Sequence, residues 1–298
     1  MSVPELSTAQ KWLLASRPKT LPAAVVPVAV GSALAWADGE FSWLVALAAM
    51  ACSLLIQIGT NLANDYYDYI KGADREDRKG PQRVVQSGLI APGTVRVAMI
   101  AVFAIAFLLG LYLVWVGGLP ILLIGIASII CAVLYTAGPF PLAYVGLGDI
   151  FVFIFFGVIA VTGTHFAHTG AWSIEALLAS IPVGSLATAI LVVNNYRDVD
   201  EDRVSGKRTL AVRFGRKANL WLYRILLAAA YAVPLFHLLA PQHTFWVLLP
   251  LLSAPFAIKN LIIMQSKTDG PSLNNALAGT AQVLMIFGLL YSIGFLLQ

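Results

Sequence analysis

The sequence predicts an all-α integral-membrane protein, a bundle of nine transmembrane helices, and three observations carry that expectation. Of its 298 residues, 59% are hydrophobic and only 11% charged, against about 25% charged in ordinary soluble domains. Apolar runs of about 20 residues, each long enough to cross a hydrocarbon core about 30 Å thick, recur along the whole chain. The lysines and arginines gather between alternate runs. A soluble enzyme is thereby excluded. The net charge of +4 comes from bases interleaved with apolar runs, which leaves no continuous basic face for nucleic acid. Cys52 and Cys131 sit inside apolar runs, where a thiol behaves as a small hydrophobe and neither a disulfide framework nor a metal spacing exists.

Polar breaks divide the chain into spans near 21–37, 42–63, 97–116, 119–135, 150–167, 174–193, 218–240, 244–263 and 276–297. The start of the chain lacks the basic stretch, short apolar core and small-residue cleavage site of a signal peptide, so the first span is expected to remain in the mature protein. Gly117-Gly118 and Pro241-Gln242-His243 are short enough to close antiparallel helical hairpins. Numbered from a cytoplasmic N-terminus, Lys11, Arg17 and Lys19 precede the first span, and Lys71 to Arg96 fall between the second and third. Arg197 to Arg224 follow the sixth, while Lys259 and Lys267 flank the last inner loop. All 19 bases then lie on or near the cytoplasmic side, as the positive-inside rule requires. An odd number of spans leaves the C-terminus outside, and residues 1–298 are expected to form one integral-membrane domain.

Nine of the 15 acids fall in two short tracts, Asp65, Asp68, Asp74, Glu76 and Asp77, then Asp198, Asp200, Glu201 and Asp202. Each tract begins inside a continuing helical pattern. Leu54 to Ala63 runs into Asn64-Asp65-Tyr66-Tyr67-Asp68 with no Gly or Pro to stop it. Asp65 and Asp68 are three apart, and Asp198 and Asp202 four apart, so each pair shares a helix face, an arrangement that destabilises a helix unless a cation lies between. The tract Asn194-Asn195-Tyr196-Arg197-Asp198 aligns with the first at a separation of 130 residues. That likeness suggests two four-helix parallel repeats plus a last helix, with a site at the repeat interface. Bases and glycines follow both tracts, Lys79-Gly80-Pro81-Gln82-Arg83 and Gly206-Lys207-Arg208. Acids that can hold Mg²⁺ beside bases that can hold phosphate oxygens suit a diphosphate. At the mouth of a membrane bundle, the other end of that diphosphate is expected to be hydrocarbon.

The two aspartate tracts resemble those of the UbiA superfamily of intramembrane prenyltransferases. Longer strings resemble its naphthoate-prenylating branch: Arg17-Pro18-Lys19-Thr20-Leu21-Pro22-Ala23, Lys71-Gly72-Ala73-Asp74, Gly80 to Gly88, Gly146-Leu147-Gly148-Asp149 and Gly206 to Arg213. The likeness runs from about residue 10 to the C-terminus. Where the commonest superfamily motif has a third Asp, this chain has Gly72, and Asp74 stands two residues later. The resemblance implies a UbiA-type bundle in a bacterial plasma membrane. It also implies Mg²⁺-dependent transfer of a polyprenyl group from a polyprenyl diphosphate to 1,4-dihydroxy-2-naphthoate, with loss of CO₂ and diphosphate. Asn64, Asp68, Asp198 and Asp202 are the expected catalytic residues; with Asp65, Asp74 and Asn194 they are the expected ligands for two or more Mg²⁺ ions. Arg83, Lys207, Arg208 and Arg17 are expected at the diphosphate or the carboxylate of the acceptor, and Tyr135 and Tyr196 along the cavity.

Two rival readings remain at this point. Another acceptor, such as homogentisate or 4-hydroxybenzoate, would share the same aspartates. A cation transporter would need ionisable groups near mid-bilayer, and the third, fourth, eighth and ninth spans carry none centrally. His165, His168, His237 and His243 lie at outer span ends on this topology, away from the acids, and an interfacial role is expected for them.

Overall fold

The computed structural model describes residues 6–73, 80–239 and 243–298, and among these every regular element is helical. A short amphipathic helix, α1 (Thr8–Ser16), is closed at its start by a capping box between Ser7 and Gln10. The chain then turns through Arg17 and Pro18–Thr20 into α2 (Pro22–Ala37), bent by 55° from the preceding segment. α3 (Trp43–Ile70) continues straight through the first aspartate tract, as the absence of Gly and Pro there predicts. After α4 (Pro92–Leu134) come α5 (Gly148–Val152), a π-helical stretch Phe153–Ile159 and α6 (Ala160–Thr169), which together form one apolar rod. α7 (Ile174–Arg197) and the short α8 (Val199–Val204) carry the second tract. α9 (Leu210–His237), a 3-10 stretch Phe245–Ser253 leading into α10 (Ala254–Ser266), and α11 (Gly270–Leu296) complete the bundle. Among the described residues seven helices, the rods above counted whole, are long and apolar enough to cross a membrane, and the bent pair around Leu21 makes an eighth. The connection expected at residues 241–243 lies mostly outside the described residues.

α4 holds a break that its length conceals. Gly118 has φ 67° and ψ −154°, a conformation open to glycine and closed to residues with a Cβ. An unbroken helix would hold Met99 and Ala132 about 50 Å apart. Both belong instead to one cluster with Leu62, Ala63 and Val84, while Leu113 and Ile121, near the break, pack in another with Cys52 and Val28. The chain therefore doubles back at Gly117-Gly118, as the glycine pair predicts.

α7 is the axis of the bundle. In its apolar core 78% of residues are buried, against 22% for α4, whose outer face presents Val97, Ile100, Leu108, Trp115 and Leu123 at the lipid side. Between membrane helices there is little hydrophobic driving force, so close backbone approach supplies the contact. Ser180, Gly184 and Thr188 give α7 a small-residue stripe, and a Cβ on Gly184 would come within 2.9 Å of the Phe153 carbonyl oxygen and 3.1 Å of the Gly157 Cα. No side-chain rotation relieves a backbone clash. Gly184→Leu is therefore expected to destabilise the protein by at least the 1–3 kcal/mol typical of overpacking. A lowered thermal unfolding midpoint in detergent would register it.

Candidate active site

The ends of α3 and α7 that bear the acids meet at one end of the bundle. Lys207, on the loop between α8 and α9, joins them, with its Nζ 3.4 Å from Asp68 Oδ2 and 4.0 Å from Asp202 Oδ1. Asp68 is 1% exposed. It also accepts 2.7 Å hydrogen bonds from Arg83 Nη2 and from the Tyr144 hydroxyl. Arg83 Nη1 donates to the Asn64 carbonyl oxygen at 2.7 Å, which fixes its guanidinium over the last turns of α3. The cation needed near the first tract is thus Arg83. The Asn64 amide oxygen accepts from Thr136 Oγ1 at 3.1 Å.

On the second tract Arg197 does the equivalent. Its fully buried guanidinium donates to both Asp198 oxygens at 2.6 and 2.7 Å, to Asn194 Oδ1 at 2.8 Å and to Asn274 Oδ1 at 2.7 Å. Such a planar fork orients carboxylate and amide together. Asp198 is the C-cap of α7, with φ −91° and ψ 7°, so the helix does not run through it as the spacing predicts. The amide of Asp202 still donates to the Asp198 carbonyl oxygen at 2.8 Å, which preserves the four-residue spacing across the joint.

These groups open into a cavity of about 420 Å³. Asn64, Asp68, Asn194, Asp198, Asp202, Arg83, Lys207, Arg17 and Tyr135 all line it. Arg17, at φ 50°, is the one non-glycine residue with positive φ among the described residues, a costly conformation that tends to persist where surrounding structure over-determines it. Along α3 the cavity reaches from Asp68 to Ala49, about 28 Å of helix. Away from the mouth its lining is Cys52, Leu113, Ile121, Phe155, Phe156 and similar apolar or small residues.

Three expected site residues lie elsewhere. Asp65 is not among the described lining residues; its Oδ2 accepts the Val84 amide at 3.1 Å, so it anchors the loop that delivers Arg83. Tyr196 packs in the core, and its ring lies under the Arg216 guanidinium. Arg208 has an exposed side chain, and its amide donates to the Tyr144 carbonyl oxygen at 2.8 Å. Asp74 falls outside the described residues.

Sequence reasoning also missed several groups. Tyr144 touches Asp68, and its ring receives the ammonium groups of Lys71 and Lys207 at 4.8 and 4.9 Å from its centroid. Burial lowers the pKa of Lys71, while the Asp68 carboxylate pulls it upward. Gln57 and Asn61 line the cavity with Asn64 and Asp68, and their spacing of four, three and four residues is one helix face. Three amides and an acid on one stripe of an apolar span were the available signal. Asp149 was not missed: its place at the start of the fifth span allows it to line the cavity mouth, and it does, 5% exposed, with an Oδ1 that accepts no hydrogen bond among the described residues.

Known proteins give this arrangement its relatives. Residues 24–276 match the UbiA prenyltransferase family. The 1,4-dihydroxy-2-naphthoate octaprenyltransferase of Escherichia coli is 38% identical over 100% of this chain and 99% of that protein. The enzyme of the same name from Bacillus subtilis is 33% identical over 96% and 92%. Among solved structures, a UbiA homolog from Aeropyrum pernix superposes with a TM-score of 0.71 at 20% identity, covering 91% of this chain and 97% of that one. A homolog from Archaeoglobus fulgidus bound to GPP and Mg²⁺ gives 0.68 at 17% identity, covering 97% and 100%. With an all-helical bundle, paired aspartate tracts and relatives matched end to end, this chain belongs to the UbiA prenyltransferase family.

Proposed function

We propose that the protein transfers a polyprenyl group from a polyprenyl diphosphate to 1,4-dihydroxy-2-naphthoate, with loss of CO₂ and diphosphate, giving demethylmenaquinol, the reduced form of demethylmenaquinone. The observation that carries this reading is the division of one cavity: acids and bases from two tracts at its mouth, the amides of Asn61 and Gln57 behind them, and a mainly apolar lining beyond. Full-length similarity to enzymes named for the naphthoate supports that acceptor. The charged lining residues gather at one end among the described residues, which disfavours a transport path through mid-bilayer.

The donor set suits magnesium. Carboxylates of Asp68, Asp198 and Asp202 and amide oxygens of Asn64 and Asn194 are hard ligands on facing walls. Lys207, lying between Asp68 and Asp202, marks a point where both tracts hold positive charge. These five residues would hold two or more Mg²⁺ ions, which when bound neutralise charge on the departing diphosphate. Arg83 and Lys207 bind the phosphate oxygens, with Arg17 beside them. As the allylic C–O bond breaks, the ring carbon bearing the carboxylate attacks the allylic carbon. The bond to the carboxylate then breaks, and its electron pair restores the aromatic ring. Departure of CO₂ replaces the proton loss of ordinary aromatic substitution. Tyr135, Phe155 and Phe156 offer ring faces to the developing cation, and the apolar lining keeps water from it. Asp149 accepts a hydrogen bond from a naphthol hydroxyl.

For the topology, we count the bent pair of α1 and α2 as one span and the two limbs of α4 as two, which makes nine within a single domain. Each set of four then carries its acids at the end of its second span, α3 and α7. The bases put the N-terminus and the acidic mouth in the cytoplasm and the C-terminus outside, in a bacterial plasma membrane.

Purified protein in detergent, given 1,4-dihydroxy-2-naphthoate and a labelled polyprenyl diphosphate, is expected to release CO₂ and form a lipid-soluble quinol with Mg²⁺ and not with EDTA. Turnover only with homogentisate or 4-hydroxybenzoate would retain the diphosphate site and overturn the acceptor. Inactivity with every acceptor would overturn the enzyme.

A further inference from the structure

A second cluster of ligating side chains lies at the opposite end of the bundle from the acidic mouth. Glu175 stands in the first turn of α7, which delivers Asp198 at its other end, and His237 closes α9. His243 follows on the way to the next helix. Their ligand atoms lie within 4.8 Å of one another. The same carboxylate oxygen, Glu175 Oε1, faces His243 Nε2 at 2.5 Å and His237 Nδ1 at 3.2 Å. The two imidazoles stack with centroids 4.9 Å apart. Both histidine side chains are at most 5% exposed, and Glu175 is 27% exposed, so the cluster is walled by protein yet reachable.

The outer nitrogens decide what the inner ones can be. His243 Nδ1 lies 2.6 Å from the Gln298 amide oxygen. That oxygen is acceptor-only, so Nδ1 carries a hydrogen. In the neutral ring Nε2 is then a lone pair, aimed at a carboxylate oxygen. His237 is held less tightly, with Nε2 3.4 Å from the Tyr291 hydroxyl, which can donate or accept, and Nδ1 turned to Glu175. The His243 lone pair and the carboxylate oxygen, converging on one point, repel unless a cation sits between them, and His237 Nδ1 adds a second lone pair there when its Nε2–H donates to the Tyr291 hydroxyl. Second nitrogens held by hydrogen bonds are what orient histidine ligands around a metal. Two histidines and a glutamate form a known ligand set for Zn²⁺, and imidazole favours it over Mg²⁺.

We propose that Glu175, His237 and His243 bind one divalent transition-metal ion, with zinc the best match, on the outer face of the membrane. Zinc there clips the start of α7 to the end of α9 and the residue after the connecting loop. The ion is separate from any magnesium at the acidic mouth in place and in ligand chemistry, and it takes no part in prenyl transfer.

The test uses the full chain, purified with a tag free of histidine, stripped with EDTA and returned to excess Mg²⁺ to fill oxygen sites. After titration with Zn²⁺ and desalting, elemental analysis is expected to find one equivalent more zinc in the native chain than in His237→Ala/His243→Ala. Co²⁺ substitution is expected to give visible d–d bands in the native chain and to lose them in the double variant. Zinc is expected to raise the native unfolding midpoint, and Glu175→Gln to weaken zinc binding at least tenfold. Equal zinc in both chains would mean adventitious binding and overturn the proposal. A native chain that takes up no zinc, with an unfolding midpoint that follows pH alone, would overturn it too, since the three groups would then share a proton. Should the double variant fail to fold, the native chain decides: the absence of both stoichiometric Co²⁺ bands and a zinc-dependent midpoint would refute the site.

Discussion

Asp68→Asn is expected to lower turnover by roughly two to three orders of magnitude, the scale seen when a group that stabilises transition-state charge is removed, while the chain stays folded and membrane-inserted. The asparagine keeps one oxygen for Arg83, which holds Oδ2 at 2.7 Å, and turns its NH₂ to the Tyr144 hydroxyl, which holds Oδ1 at 2.7 Å and can accept as well as donate. What it removes is the negative charge that magnesium would need. Asp198→Asn is expected to behave alike, because Arg197 can still grip the amide oxygen. Asp68→Ala and Asp198→Ala are expected to lose activity equally, with a further drop in stability for Asp68, which is 1% exposed. Asp65→Asn serves as the contrast. Its carboxylate receives the Val84 amide, so the loss there should be mainly one of loop order, with the magnesium requirement unchanged. Turnover across a Mg²⁺ titration, beside size-exclusion behaviour and thermal unfolding, separates these cases. Full activity of Asp68→Asn or Asp198→Asn would defeat the metal assignment.

Arg197→Ala should be the most damaging single change outside the ligands. It removes four hydrogen bonds that tie Asp198, Asn194 and Asn274 together at a point with no exposed surface. Removing one partner of a buried ion pair costs about 3–5 kcal/mol, enough to reduce the folded yield. Arg197→Lys tests the geometry rather than the charge. An ammonium cannot reproduce a planar fork spread over three side chains, so the chain should fold yet bind magnesium 10- to 100-fold more weakly, as when residues that orient metal ligands are lost. A Mg²⁺ titration of initial rates would show this as a shifted midpoint with a recoverable maximum. An unshifted midpoint would make Arg197 purely structural.

Much of this was legible in the sequence because hydrocarbon imposes a length and a polarity on every segment that crosses it. The helices follow, and so does the uninterrupted passage of α3 into its aspartates. Which neighbour faces the cavity was less legible. Tyr196 and Arg197 are adjacent, and one step of a helix turns a side chain by about 100°. That step sends Tyr196 into the core and Arg197 into the acids. Read as a topology signal, Arg197 lost its role, and Tyr196 gained one the fold does not give it. Tyr144 lies between α4 and α5, where no periodicity reports direction, and only the tertiary path brings its hydroxyl to Asp68. Gln57 and Asn61 were visible as polar residues in an apolar run, but their continuity with Asn64 and Asp68 mattered more than either alone.

The doubled-back α4 bears on how hydrocarbon reaches the mouth. On α4, Phe107, Leu111 and Ile126 line the cavity, while Leu108 and Leu123, 63 and 58% exposed, are not among its described lining residues. One helix thickness therefore separates the cavity from lipid. A tail longer than the cavity can rest partly in the bilayer, and the product can leave without entering water. The concentration that sets the rate is then the mole fraction of prenyl lipid in the membrane plane. Adding inert lipid or detergent slows such a reaction by surface dilution at constant bulk substrate.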